Sequence, residues 1–363
     1  MALERLYTKN FRNLNEQAID FNSELNFIIG DNGSGKSSLL EALFFIGHGK
    51  SFRTTKSDNL VTIGKDVFFV NTKDSEGNTL GVSKQVSEAA FSIKINGEKR
   101  HRLSELAKTL AIQVITPESF KLFFGGAKER RKFLDLGLFH VEHSFQQYWK
   151  TFSKLLKQRN ACLRNQDQNE HIAYWTEQFC IASIHLNEFR SQYSQQLKVE
   201  LSKWLKILLP KVSDSIEIQY YRGWNQKKSL AEVLDEARDK ELKQGYSQAG
   251  PQKFDFRFLI EKQPLDLKLS RGQQKLFLLA LTFAQSKLMK RVTPVKPILL
   301  IDDVGAELDD ISRTLLATSI KELGCQVVMT AIDVAALEPM ILEDNNYKMF
   351  HVEHGEISET NRL

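Results

Sequence analysis

The chain has 363 residues, 42% hydrophobic and 26% charged, with 50 Lys and Arg against 45 Asp and Glu. That balance excludes a disordered or low-complexity protein, and the longest apolar stretch, residues 276–284, falls well short of the ~18 residues a bilayer-spanning helix needs. A net charge of +5 permits an anionic partner without demanding one.

Residues 1–30 alternate as strands do and end in the apolar run Leu25-Asn26-Phe27-Ile28-Ile29, the pattern of a strand buried on both faces. Glycines follow, and residues 38–46 read as a helix. From about 60 to 115, short apolar runs with Glu76-Gly77-Asn78 and Asn96-Gly97 turns predict antiparallel strands. The period then changes. Phe145, Tyr148, Trp149, Phe152, Leu155 and Leu156 recur at spacings of three and four. After the polar break Arg164-Asn165-Gln166-Asp167-Gln168-Asn169, Ile172, Trp175, Phe179, Leu186, Phe189, Tyr193 and Leu197 keep that spacing until Pro210. These aromatics pack an antiparallel helical hairpin, each helix about 30–40 residues long, and are not read as a ligand box. Beyond about 255, a helix over 272–290 precedes the strand Ile298-Leu299-Leu300-Ile301. A helix near 311–322 and the strand Gln326-Val327-Val328-Met329-Thr330 follow. Alternating strand and helix predicts a parallel sheet. The expectation is an α/β P-loop ATPase head, residues 1–115 plus 256–363, with an inserted, mainly helical arm over 116–255.

Three motifs carry chemistry. Gly30-Asp31-Asn32-Gly33-Ser34-Gly35-Lys36-Ser37 satisfies G-x-x-x-x-G-K-[ST], a chance match of roughly one in a hundred for this length. Its glycines let backbone N–H groups turn toward phosphate oxygens, the next helix aims its positive end at them, Lys36 reaches the β- and γ-phosphates, and Ser37 ligates Mg²⁺. The apolar run 298–301 ends in Asp302-Asp303, where a parallel sheet holds a nucleotide's metal. Asp302 is expected at the Mg²⁺ and Asp303 at the attacking water, as catalytic base or orienting group. Leu269-Ser270-Arg271-Gly272-Gln273-Gln274-Lys275 opens a helix and makes a second anion site. One nucleotide cannot use both, so the second site is expected to meet the γ-phosphate on another subunit.

L-S-x-G-Q resembles the signature of ABC-type ATPases. With the phosphate loop and the acidic strand end, the layout resembles the SMC-related branch, and within it the RecF family. Tyr7-Thr8-Lys9-Asn10-Phe11-Arg12-Asn13 matches the family's opening and Ile112-Gln113-Val114-Ile115-Thr116-Pro117-Glu118 its Q-loop region. Residues 125–135 match the arm entrance and Glu307-Leu308-Asp309 the D-loop; the likeness runs from residue 3 to about 330. The resemblance implies ATP and Mg²⁺ as cofactors. It implies nucleotide contacts from residues 30–37, Ser38, Arg12, Ser270, Gly272 and Gln273, a catalytic set of Lys36, Asp303 and Gln113, and a metal set of Ser37, Asp302 and Gln113. It further implies an ATP-driven head-to-head homodimer that binds DNA at single-strand gaps or stalled forks, hydrolyses ATP slowly to release it, and works with RecO and RecR type mediators in repair, recombination and replication. Two departures stand out: Ala306 where the D-loop usually begins with Ser, and no switch histidine after Thr330.

Lys36 and Asp302 are 266 residues apart and no CxxC hook lies between them, which favours a short arm over the long coiled coils of SMC proteins. Residues 121–160 hold nine Lys and Arg against three acids, a net +6 suited to clamping DNA phosphates without reading sequence. The alternative is a transporter-type ATPase subunit with a membrane partner. His140-Val141-Glu142-His143 and His351-Val352-Glu353-His354 lack H-E-x-x-H spacing and are set aside as metal sites, His351 and His354 being expected to face opposite sides of a strand. Cys162, Cys180 and Cys325 are too scattered for a disulfide framework or a metal site. The charged start has no signal-peptide core, so a cytoplasmic protein is expected.

Overall fold

Strands with almost no exposed side chain need covering on both faces, and here they have it. The computed structural model, which describes residues 2–88, 90–165, 169–292, 296–305, 307–342 and 346–360, places Leu25–Ile29, Gln326–Ala331, Ile298–Ile301 and Ile112–Ile115 side by side and parallel. Tyr347–Glu353 extends the sheet in parallel beyond Leu25–Ile29, and Glu356–Thr360 closes that edge as an antiparallel hairpin. Successive residues of Ile112–Ile115 face opposite layers. Ile112 meets Gly47 of the helix Lys36–His48, while Gln113 bonds to Gln285 of the helix Arg271–Val292. The two helices therefore cover opposite faces of the sheet.

A second sheet is antiparallel, in the order Gln17–Asp20, Leu3–Lys9, Val67–Asp74, Thr79–Gln85, Ser92–Ile95, Glu98–Arg100. Its alternating pattern buries one face, and Phe68 meets Phe11 at 5.3 Å and Phe45 of Lys36–His48 at 5.5 Å, both edge to face. Both central residues of the turn Asn96-Gly97 have positive φ, as a two-residue hairpin requires.

The chain divides into two units, Met1–Phe120 with Trp204–Leu209 and Arg271–Leu363, and Lys121–Lys203 with Pro210–Ser270. The first holds both six-stranded sheets. The second holds Ala127–Val141, Phe145–Asn165 and most of Asn169–Leu208, with a small sheet of Ile216–Tyr221, Asp255–Ile260 and Gln263–Pro264. The aromatics pack the helices against each other: Phe152 meets Phe179 at 5.3 Å and Tyr148 meets Phe189 at 5.2 Å.

Three expectations need correction here. The first hairpin helix has 21 residues rather than about 30–40. It starts afresh after Glu142, whose carboxylate accepts from the Ser144 backbone N–H and hydroxyl and so ends Ala127–Val141. The small sheet was not anticipated, because its strands are short and weakly patterned. Several cations of the basic stretch 121–160 are engaged internally: Arg130 is bidentate to Asp255, Arg131 donates to the Phe254 carbonyl at 3.0 Å, and Arg159 bonds Glu241 in the interior. Residues 166–168 of the polar break lie outside the described residues.

Candidate nucleotide site

The C-terminal ends of the parallel strands converge on a cleft of about 910 Å³, lined among others by Arg12, Asn32, Gly33, Gly35, Lys36, Ser37, Ser38, Asp302 and Asp303. The phosphate loop leaves Leu25–Ile29 and enters Lys36–His48 directly. Gly30 must be glycine: its φ is 148°, and a Cβ there would sit 2.3 Å from the Val352 carbonyl oxygen. Lys36 is buried and donates to the carbonyls of Gly30 at 2.5 Å and Asp31 at 2.9 Å. Burial pushes its pKa below the usual lysine value, and Asp302, Asp303 and Asp31 oppose that shift. Ser34 Oγ is buried with no hydrogen-bond partner among the described residues.

Ser37 and Asp302, 265 residues apart, meet here. The Ser37 hydroxyl lies 3.1 and 3.2 Å from the two carboxylate oxygens of Asp302. Thr330, at the end of the neighbouring strand, bridges the acids: its hydroxyl donates to Asp302 Oδ1 at 2.8 Å and accepts from the Asp303 N–H at 2.8 Å. Asp303 takes φ 55°, an uncommon conformation for a non-glycine residue and one that recurs at functional sites.

Sequence reasoning missed several supports of this arrangement. Asn13 accepts from Ser38 Oγ at 2.7 Å and donates to the Gly33 carbonyl at 3.2 Å, tying the chain's opening segment to the phosphate loop. Arg12 forks onto buried Glu41 of Lys36–His48 with bonds of 2.7 and 2.8 Å, and Arg53 approaches the same carboxylate at 3.7 Å. Only Thr330 carried a readable signal, its place at the end of an apolar strand.

Gln113 is a correction. It is buried in Ile112–Ile115, where its amide nitrogen donates to Gln285 Oε1 at 2.6 Å and its oxygen accepts from Ser286. It does not line the cleft, because strand parity turns it toward Arg271–Val292. Ser270, Gly272 and Gln273 do not line it either. Gly272 abuts the D-loop instead: a Cβ there would lie 2.6 Å from the Glu307 carbonyl oxygen. Lys275, one turn on and buried, donates to the Asp303 carbonyl at 2.7 Å. Asp309 caps Asp310–Leu323 by accepting from the Ser312 N–H. Ala306 lies outside the described residues.

Among the described residues no cluster of His, Cys, Asp and Glu is arranged to hold a metal, and no helix is long and apolar enough to cross a membrane. His351 lies in a strand, but His354 takes φ 46° in the following turn, so the opposite-faces expectation does not apply to it. His140 is buried, its Nε2 lacks a hydrogen-bond partner among the described residues, and burial lowers its pKa to about 4.

The family described as "RecF/RecN/SMC N terminal domain" matches residues 2–358. The DNA replication and repair protein RecF of Colwellia psychrerythraea is 53% identical over 371 aligned positions, covering 99% of this chain and 98% of its own. The RecF of Shewanella piezotolerans is 39% identical, with 99% of each chain covered. A solved structure of the recombination mediator protein RecF with ATP, of the RecFOR pathway, is similar at a TM-score of 0.84 and 25% identity, covering 99% of this chain and 98% of that one. An SMC head bound to the C-winged helix domain of ScpA, at TM-score 0.60 and 17% identity over 99% and 97% of the two chains, shares the fold alone.

Proposed function

The chain belongs to the RecF family of DNA replication and repair proteins, and from that premise we propose that it is a cytoplasmic, ATP-dependent DNA-binding protein of recombinational repair and replication restart. Two copies pair head to head on ATP, engage DNA at single-strand gaps or stalled forks, and release it after slow, DNA-stimulated, Mg²⁺-dependent hydrolysis. RecO and RecR type mediators are its partners. The head, residues 1–115 with 256–363, takes the nucleotide, and the arm, 116–255, contributes exposed lysines such as Lys128, Lys150, Lys154 and Lys157 to the DNA surface.

The observation that carries this reading is the meeting of Ser37 with both oxygens of Asp302 at the foot of the phosphate loop. A hydroxyl and a carboxylate side by side are the hard oxygen donors that Mg²⁺ selects. The amides of residues 33–38 and the ammonium of Lys36 suit phosphate oxygens, and the unpartnered Ser34 hydroxyl fits a further acceptor. When bound, Mg²⁺ neutralises charge that develops on the transferred phosphoryl group. Asp303 orients or deprotonates the attacking water, and Thr330 keeps its backbone in place. Ser270, Gly272 and Gln273 act on the nucleotide of the partner copy.

Sedimentation velocity with ATP or ADP, with and without gapped duplex, tests the reading. Wild type pairs with ATP and not with ADP. Ser270→Arg still binds ATP but stays single. A wild-type protein that stays single at saturating ATP and gapped duplex would overturn the proposal.

A further inference from the structure

The antiparallel sheet of the first unit buries one face against Lys36–His48 and leaves the other exposed. On the exposed face the register sets like charges directly opposite each other twice. Arg5 faces Lys73 between the first strand and Val67–Asp74, and Lys94 faces Lys99 across the Asn96-Gly97 hairpin. Directly opposed like charges weaken an antiparallel pair, so sheet stability gives no reason for either. Arg5 is partly neutralised by Asp20 and Lys73 by Glu4 at 3.9 Å, whereas Lys94 and Lys99 have no ion-pair partner among the described residues.

Between the two cationic pairs lies a groove of about 340 Å³ lined by Arg5, Tyr7, Asn71, Lys73, Gly81 and Lys94. Tyr7, Asn71, Gly81 and Lys94 form one cross-strand row. Gly81 supplies no side chain to the floor, and the Asn71 amide oxygen lies over this glycine, 2.5 Å from where a Cβ would sit. The Tyr7 hydroxyl donates to Glu16 at 2.6 Å and holds the ring in place. Phe69, two residues from Asn71 on the same face, stands diagonal to Tyr7 and is 36% exposed. Lys73 and Lys94 are two strand spacings across and two residues along the sheet from each other, about 12 Å, with this partly apolar floor between them.

We propose that this face is a platform for single-stranded nucleic acid, in which Tyr7 and Phe69 meet unpaired bases and Lys73, Lys94 and Lys99 take phosphates. Aromatic rings at one side of an open sheet face, with the unpaired Lys94 and Lys99 three and four strands across from Tyr7, match the stacking-plus-backbone mode by which single strands are held. A duplex keeps its bases stacked inside and offers the rings nothing, and an acidic peptide would use the lysines but not the aromatics. The inference rests on the DNA-binding reading above and names the surface that takes the unpaired side of a gap.

Fluorescence anisotropy of the full chain tests it, with oligothymidylate of about twenty nucleotides and a duplex of equal length, over a salt series. Lys94→Gln with Lys99→Gln removes two phosphate contacts, so the log K against log salt slope on the single strand becomes shallower by about 1.4. Phe69→Ala weakens single-strand binding about fivefold or more without moving that slope. Duplex affinity stays at the wild-type value in both variants. The lysine variant's unfolding midpoint does not fall, because a repulsive pair has been removed. An unchanged single-strand slope and affinity in variants that still bind duplex would overturn the platform. So would equal losses on both probes, or a polyglutamate competitor as effective as oligothymidylate. Wild type that binds neither probe, with ATP present, would sink the DNA-binding reading itself.

Discussion

Charged side chains are buried in both units, but they are satisfied differently. In the second unit Arg130 is bidentate to Asp255 and Arg190 to Asp135, at 2.7–3.0 Å, while Arg159 spreads over Glu241, Ser247 and Thr176. Each of these three guanidinium groups has matched protein acceptors. In the nucleotide cleft, Lys36 rests on two backbone carbonyls and Asp302 shares hydroxyls with Ser37 and Thr330, and among the described residues neither has a side-chain ion partner within bonding distance. The arm's charges hold its elements in register, and the cleft's charges are left for something else to complete. Burial alone does not separate structure from function; the kind of partner does.

The sharpest way to break this contrast is Lys36→Ala. We expect ATP turnover to fall by at least about a hundredfold in single-turnover assays, as when an oriented transition-state donor is removed, with little change in unfolding midpoint. Retained turnover would put Lys36 on the structural side. Glu241→Ala should do the reverse. It strands buried Arg159 and should cost about 3–5 kcal/mol in chemical denaturation, while the surviving folded fraction still binds ATP.

His140 sharpens the comparison, because its Nε2 is buried without a hydrogen-bond partner among the described residues. Its folded pKa of about 4 lies below the ordinary 6.5, so the unfolded chain binds a proton that the native one refuses between those values. Its contribution is present in full above pH 6.5 and is lost as pH falls toward 4, about 3 kcal/mol over the window. Denaturation midpoints measured across that range should flatten in His140→Leu. The smallest effect is expected at Asp309, whose carboxylate caps Asp310–Leu323. Asp309→Ala should give a small fall in thermal midpoint.

The parts of the site that could be read in advance are those whose chemistry is local. Consecutive amides around a phosphate require a glycine-rich turn between strand and helix, so residues 30–37 announce themselves. An apolar strand ending in acids does the same for Asp302 and Asp303. Gln113 went astray because its direction depends on strand parity and on Gln285 and Ser286 in a distant helix. Arg130 and Arg159 looked like surface charge because Asp255 and Glu241 lie 125 and 82 residues further on. Asn13 and Lys275 left no usable trace, since each acts through hydrogen bonds to a remote segment.

Periodicity and motif spacing therefore determined, unaided, that this chain builds an α/β head around a phosphate loop with a helical insertion, because hydrophobic period and backbone conformation are properties of neighbouring residues. Tertiary structure alone decided which polar groups face the cleft, which cations are consumed internally, and which two lysines confront each other across a hairpin. Those outcomes depend on register and on partners brought together from far along the chain, and local spacing carries no record of them.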